Sequence, residues 1–231
     1  MVLAILFLRT IFKWGTARIQ QGLFALPGFM RQEMQCCPQG VKLSRTAINN
    51  VLTLHRLNGF NREQKAWKFF RASKPNELWQ LDLKGPVTVQ GNRYWFLICI
   101  DDFSRNIIAA EQYNHCPNLE EILAGIQPAI NKYRPQNILT DNSPFKGSWK
   151  EMLAKQEINA LFAHPYYPQD KGKVERTIRN LAEEFTNPLL KFPYWLTGKL
   201  QEWVHWFNNQ RYHRGIKGYP AQLFQSGELM T

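Results

Sequence analysis

Apolar positions along the chain fall into three regimes: helical spacing at the start, strand-like alternation in the middle, and helical spacing again toward the end. Leu3, Phe7, Leu8 and Ile11 recur at helical intervals and predict a helix over about 3–13, with that stripe buried. A second helix is expected from Thr16 to just before Pro27-Gly28, and a third after Ser44. In the third, Ile48, Val51, Leu52 and His55 share one face, while Arg45, Thr46, Asn49, Asn50 and Thr53 lie largely on the other.

The middle of the chain changes period. In "ELWQLDLKG", Trp79, Leu81 and Leu83 point to one side and Leu78, Gln80 and Asp82 to the other. The mostly apolar "RYWFLICIDD" reads as an interior strand, and "SRNIIAAEQY" as the next one. The links "GPVTVQGN" and "DDFSRN" are short, so these three strands are expected to form an antiparallel meander. A helix over 118–133 leads into the short strand "QNILTD", and a helix over 146–156 leads into the strand "INALFAH". A further helix from about Lys173 places Val174, Ile178, Leu181 and Phe185 on its buried face. The order β-β-β-α-β-α-β-α predicts an α/β fold, a mixed five-stranded sheet with flanking helices.

Charge adds a second layer to this picture. The net charge of +11 is unevenly placed. Residues 1–74 carry twelve Lys and Arg against two acids, residues 75–170 eight against eleven, and residues 171–231 nine against five. Two basic ends suggest a polyanionic partner, and the acidic middle then requires a separate role. For the Arg45, Asn49 and Asn50 face, two readings stand: a solvated surface, or a helix that reads base edges in a DNA groove. The long "PGFMRQEMQCCPQG" between the second and third helices makes any helix-turn-helix here a loose one.

With 44% hydrophobic residues and eight Trp, the chain has the material for a packed core. The opening "MVLAILFLR" is too short to span a bilayer and has neither the charged start nor the cleavage site of a signal peptide. Membrane association is therefore not expected. The four cysteines show no paired spacing, which fits a reducing, cytoplasmic setting. Cys99 is expected in the core, and a zinc site from Cys36, Cys37 and His115 is conceivable but lacks the usual spacing.

In "HPYYPQDKGKVERTIRNL" the acid Glu175 stands among Lys171, Lys173, Arg176 and Arg179. The basic residues suit contact with phosphates; the glutamate does not. Asp82 lies on the first strand, on the face opposite the Trp and Leu stripe. Asp141 ends a later strand, where open α/β sheets place their sites. Glu175 falls about 100° round from Val174, at the edge of the buried helix face. Converging acids of this kind need a cation, and hard oxygen ligands favour Mg2+ or Mn2+. Asp101 and Asp102 read instead as turn formers. Trp203, Val204, Trp206 and Phe207 read as core in preference to a base-stacking platform. His164 and His213 are candidate phosphate contacts.

The segments "LWQLDLKG", "ILTDNSPF" and "HPYYPQDKGKVERTIRNL" resemble the core motifs of DDE transposases of bacterial and archaeal insertion sequences, and are similar also to retroviral integrases. "WFNNQRYHRGIKGYPAQLF" resembles the closing segment of that family, and "WGTARIQQGL" with "LSRTAINNVLTLHRL" its preceding helix-turn-helix. The resemblance implies an RNase H-like fold, with Asp82, Asp141 and Glu175 as catalytic, metal-holding residues. It implies Mg2+- or Mn2+-dependent cutting and joining of DNA strands without a covalent enzyme–DNA intermediate. The implied partners are double-stranded DNA, both element ends and target, and further copies of the chain, with no small-molecule substrate. A nucleoid-associated location follows.

The expected organisation is a basic, helix-turn-helix-like segment over 1–61 and a basic linker over 62–76. An integrase-like core over 77–190 and a helical extension over 191–231 complete it. The N-terminal segment is expected to be shortened relative to the family. Ser143 stands where the family usually has Gly, and Asp141 and Glu175 are 34 positions apart, slightly closer than usual. These departures motivate an alternative, a DNA-binding remnant that no longer catalyses.

Overall fold

A computed structural model describes residues 1–26, 28, 40–58, 71–142, 145, 147–163 and 171–227. Cys36, Cys37, Ser143, His164, Asp170 and most of the expected basic linker lie outside the described residues. Strands β1 (Leu78–Val89), β2 (Asn92–Asp101) and β3 (Ile107–Tyr113) form the antiparallel meander. Strand β4 (Asn137–Thr140) pairs parallel to β1, and β5 (Asn159–Phe162) parallel to β4. The resulting order is β3-β2-β1-β4-β5, the mixed five-stranded sheet of the RNase H-like class.

The first strand runs further than the sequence suggests. "GPVTV" was expected to be a link, yet β1 continues through it to Val89, and the turn is confined to Gln90 and Gly91. Pro86 has no N–H for the ladder, and the register with β2 shifts between Lys84 and Val87. Gly85 lies so close to Trp95 that an added Cβ would collide with the indole.

Helices cover both faces. On one, α4 (Leu119–Tyr133) and α5 (Ser148–Ala154) pack against Trp79, Leu81, Leu97 and Cys99. Asn118 caps α4 reciprocally with Glu121, each side chain bonding the other's backbone N–H. On the other, Phe96, Ile98 and Ile100 meet α1 (Val2–Phe12), α2 (Thr16–Phe24), α3 (Arg45–Leu54), α6 (Gly172–Leu181) and α7 (Lys199–Asn209) in one continuous core. A π-helical turn (Ala182–Thr186) extends α6, and α8 (Pro220–Ser226) closes the described chain.

Trp203, Trp206 and Phe207 are buried in that core, and Trp206 stacks on Trp14 at 5.9 Å, joining α7 to the N-terminal helices. In α1 the buried positions are Ala4, Ile5, Leu8 and Phe12, while Leu3 is exposed. The expected Leu3–Phe7–Ile11 row sits one step round the helix, half-buried at its last two members. Among the described residues, no helix is long and apolar enough to cross a membrane.

Candidate functional site

Strand register brings the first two acids together. In the β1–β4 pair Leu78 faces Asn137 and Gln80 faces Leu139, so two residues further on Asp82 and Asp141 are level. Their strands are neighbours about 4.8 Å apart. Asp82 sits opposite Ile98 on the face that receives α6.

Lys171, at the N-cap of α6, fills the space between them. Its Nζ is 3.1 Å from Asp82 Oδ1 and 2.8 Å from Asp141 Oδ2, and the residue is only 3% exposed. Asp82 Oδ1 also accepts the Leu83 N–H at 3.0 Å. Burial pushes the Asp82 carboxyl above its usual pKa; the Lys171 charge opposes that rise, and the Asp141 charge adds to it.

Glu175 is rooted one helical turn beyond Lys171, with its N–H bonded to the Lys171 carbonyl at 3.0 Å. Its side chain is exposed and forms no ion pair with any described residue. Among the described residues no three His, Cys, Asp or Glu side chains are grouped closely enough to hold a metal. The structure therefore brings Asp82 and Asp141 to one cationic group, with Glu175 at the adjoining helix edge. The donor chemistry suits a hard divalent ion: two carboxylates already converge on a positive charge, the Lys171 ammonium.

A second layer fixes α6 over this edge. Gln80 Oε1 accepts the Val174 N–H at 3.1 Å, and Gln80 Nε2 donates to Asp102 Oδ1 at 2.7 Å. Asp102 Oδ2 accepts the Ala72 N–H at 2.7 Å and pairs with the Lys173 ammonium. Asp101 behaves as the expected turn former, with Oδ2 accepting both the N–H and the hydroxyl of Ser104. Asp102 does more, joining β1, α6 and the incoming chain through a single buried carboxylate.

The other sequence-derived residues divide in two. Arg45, Asn49 and Asn50 are exposed on α3, opposite the buried Ile48 and Leu52, with Ser44 accepting the Ala47 N–H as cap. Arg176 and Arg179 are exposed on α6. Lys171 and Lys173, expected to face DNA, are turned inward instead. The physical reason is the pair of carboxylate clusters beneath them, whose charges they offset within a low-dielectric setting. His213 packs edge-on against Phe207 and accepts from Arg211 Nη1 at 3.1 Å.

Sequence reasoning missed a buried centre behind α6. Glu184 is fully buried and accepts from Arg18 Nη1 at 3.0 Å, from Arg211 Nε and Nη2 at 3.1 and 3.0 Å, and from Trp203 Nε1 at 3.1 Å. Arg18 Nη2 also reaches Asn180 Oδ1 at 3.3 Å. The signal was present: Glu184 falls three residues after Leu181, on the apolar stripe of the helix, where an acid demands a cation.

Comparisons with known proteins point one way. Residues 72–168 match a family model described as "Integrase core domain", and residues 156–220 match a second model of the same description. The transposase for transposon Tn552 of Staphylococcus aureus is 30% identical over 139 residues, which cover 51% of this chain and 28% of that protein. The Gag-Pro-Pol polyprotein of squirrel monkey retrovirus is 30% identical over 128 residues, covering 53% of this chain and 7% of the polyprotein. The chain thus spans well under a third of the length of either relative.

Among solved structures, a simian T-cell lymphotropic virus intasome in complex with the PP2A regulatory subunit B56 gamma is similar. It has a TM-score of 0.58 at 20% identity, covering 97% of this chain and 75% of that one. The dimeric form of the HTLV-2 integrase catalytic core domain in complex with magnesium has a TM-score of 0.51 at 22% identity, over 65% of this chain and 97% of the other. The trimeric form gives 0.53 at 22% identity, over 67% and 99%. At these identities the structural likeness speaks to the fold.

Proposed function

We propose that the chain, which matches integrase core models over residues 72–168 and 156–220, cuts DNA strands and joins them to new sites as a transposase or integrase. One observation carries the reading: neighbouring parallel strands deliver Asp82 and Asp141 to a common cation, beside the helix that bears Glu175. We assign Asp82, Asp141 and Glu175 as the ligands of Mg2+ or Mn2+. The HTLV-2 integrase catalytic core domain, similar in fold, was solved in complex with magnesium in dimeric and trimeric forms, which supports the choice. A divalent ion bound there would polarise a phosphoryl oxygen and lower the pKa of a bound water.

The chain's own residues do the positioning. Gln80 and Asp102 hold the start of α6 against β1, so Glu175 is rooted beside the aspartates. Arg176 and Arg179 offer guanidinium forks to phosphates flanking the reacting one. Arg45, Asn49 and Asn50 form the exposed α3 face assigned to base edges of double-stranded DNA. Joining two ends to a target favours a homo-oligomer, each copy presenting one site.

The test is a labelled duplex incubated with purified chain and Mn2+ or Mg2+. Metal-dependent nicking or joining is expected. Asp82→Asn should lose it by at least about a hundredfold while retaining DNA binding. A variant as active as the parent refutes the assignment. Glu175, exposed and without an ion-pair partner among the described residues, favours one alternative, a DNA-binding remnant; salt-sensitive binding with no metal-dependent cleavage by the unaltered chain would establish it.

A further inference from the structure

Away from the aspartate pair, on the other side of the α6 start, lies a cavity of about 530 Å3 between α2, α6 and the loop 211–216. Its size is in the range, roughly 300–1,000 Å3, of pockets that hold a ligand. Six cationic groups line it: Arg18, Arg105, Lys173, Arg176, Arg211 and Arg214. No Asp or Glu is among its described lining residues.

The acids that offset these charges stand behind the wall. Glu184 serves Arg18 and Arg211 together, Glu183 is 3.6 Å from Arg18, and Asp102 pairs with Lys173. Arg176 and Arg214 are exposed and pair with no described acid. The wall is therefore positive in excess, and an anion entering it meets no carboxylate.

The buried histidine of the wall agrees. His213 falls well below its ordinary value through burial, then through the charges of Arg211, Arg18 and Arg105. Cations that depress a neighbour's protonation mark a positive potential that a bound anion would relieve.

We propose that this cavity takes a backbone phosphate of a DNA strand, with Arg176 and Arg214 as its exposed fork and Arg18 and Arg211 as its fixed floor. Helix α2 and the loop 211–216 thereby extend the phosphate-binding surface beyond α6. The inference rests on the reading that the chain binds DNA.

Two arms test it. In the first, binding of a 20-bp duplex is followed by fluorescence anisotropy across a salt series for the parent, Arg214→Gln, Arg176→Gln and the remote Lys132→Gln. Each cavity variant should weaken binding and lower the slope of log K against log salt by about 0.9, one phosphate contact on B-DNA. Lys132→Gln should match the parent. Both cavity side chains are exposed, so melting temperatures should hold. In the second arm, inorganic pyrophosphate should raise the melting temperature of the parent more than that of either variant.

Cavity variants with parental affinity and slope overturn the cavity assignment and leave DNA binding by the chain standing. Pyrophosphate stabilisation lost in the variants, with an unchanged DNA slope, makes the cavity a small-anion site and overturns the DNA assignment. A parent that binds no duplex at all overturns both this inference and the function on which it rests.

Discussion

The Lys171 ammonium lies 2.8 Å from Asp141 Oδ2 and, through the same nitrogen, 3.1 Å from Asp82 Oδ1. Two carboxylates on adjacent strands would repel each other without it. A lysine so placed stabilises this arrangement of the carboxylates, and a divalent ion of the kind proposed would have to displace it.

Lys171→Gln should therefore bind Mn2+ more tightly, by about tenfold, equivalent to roughly 1.4 kcal/mol. Calorimetric titration of parent and variant with MnCl2 reads this directly, independent of any cleavage. Equal affinity would show that the ammonium and the ion do not compete.

Glu184→Ala leaves the buried Arg211 guanidinium, the Arg18 fork and the Trp203 indole N–H without their shared acceptor. Breaking one side of a buried ion pair in this way costs about 3–5 kcal/mol. Urea unfolding of the two proteins checks it. A loss below about 1 kcal/mol would mean that these donors find other partners.

His213 supplies a pH dependence with a definite sign. Its folded pKa lies well below 6.5, because burial and the Arg211, Arg18 and Arg105 charges disfavour the imidazolium. The unfolded chain takes up a proton near pH 6.5 while the folded chain does not. The stability it contributes is present above that pH and is lost as pH falls below it. Between pH 7 and pH 5 the parent should lose more melting temperature than His213→Phe does. Parallel losses would remove His213 from the acid response.

Much of the sheet was legible because alternation in β1 and the apolar run of β2 leave few ways to bury Trp79, Leu81 and Leu97. The same alternation put Asp82 on the correct face. Its partnership with Asp141 was harder to read, since it depends on the parallel register of β1 with β4, which no local pattern encodes. The inward turn of Lys171 and Lys173 was not legible at all. In the text "DKGKVER" both look like solvated bases, and only the carboxylates brought beneath them by distant strands turn them in. The strand through Gly85-Pro86 was missed for a related reason: those residues locally signal a link, and the long β1–β2 ladder overrides them.

The Asp102 carboxylate has a mechanical consequence. One of its oxygens receives both the Ala72 amide and the Lys173 ammonium, while the other receives Gln80. Tension applied to the polypeptide where it arrives at Ala72 is thus handed to α6 through a single buried carboxylate. The acid-bearing helix can feel a load on the arriving segment much as a latch feels the cord tied to it.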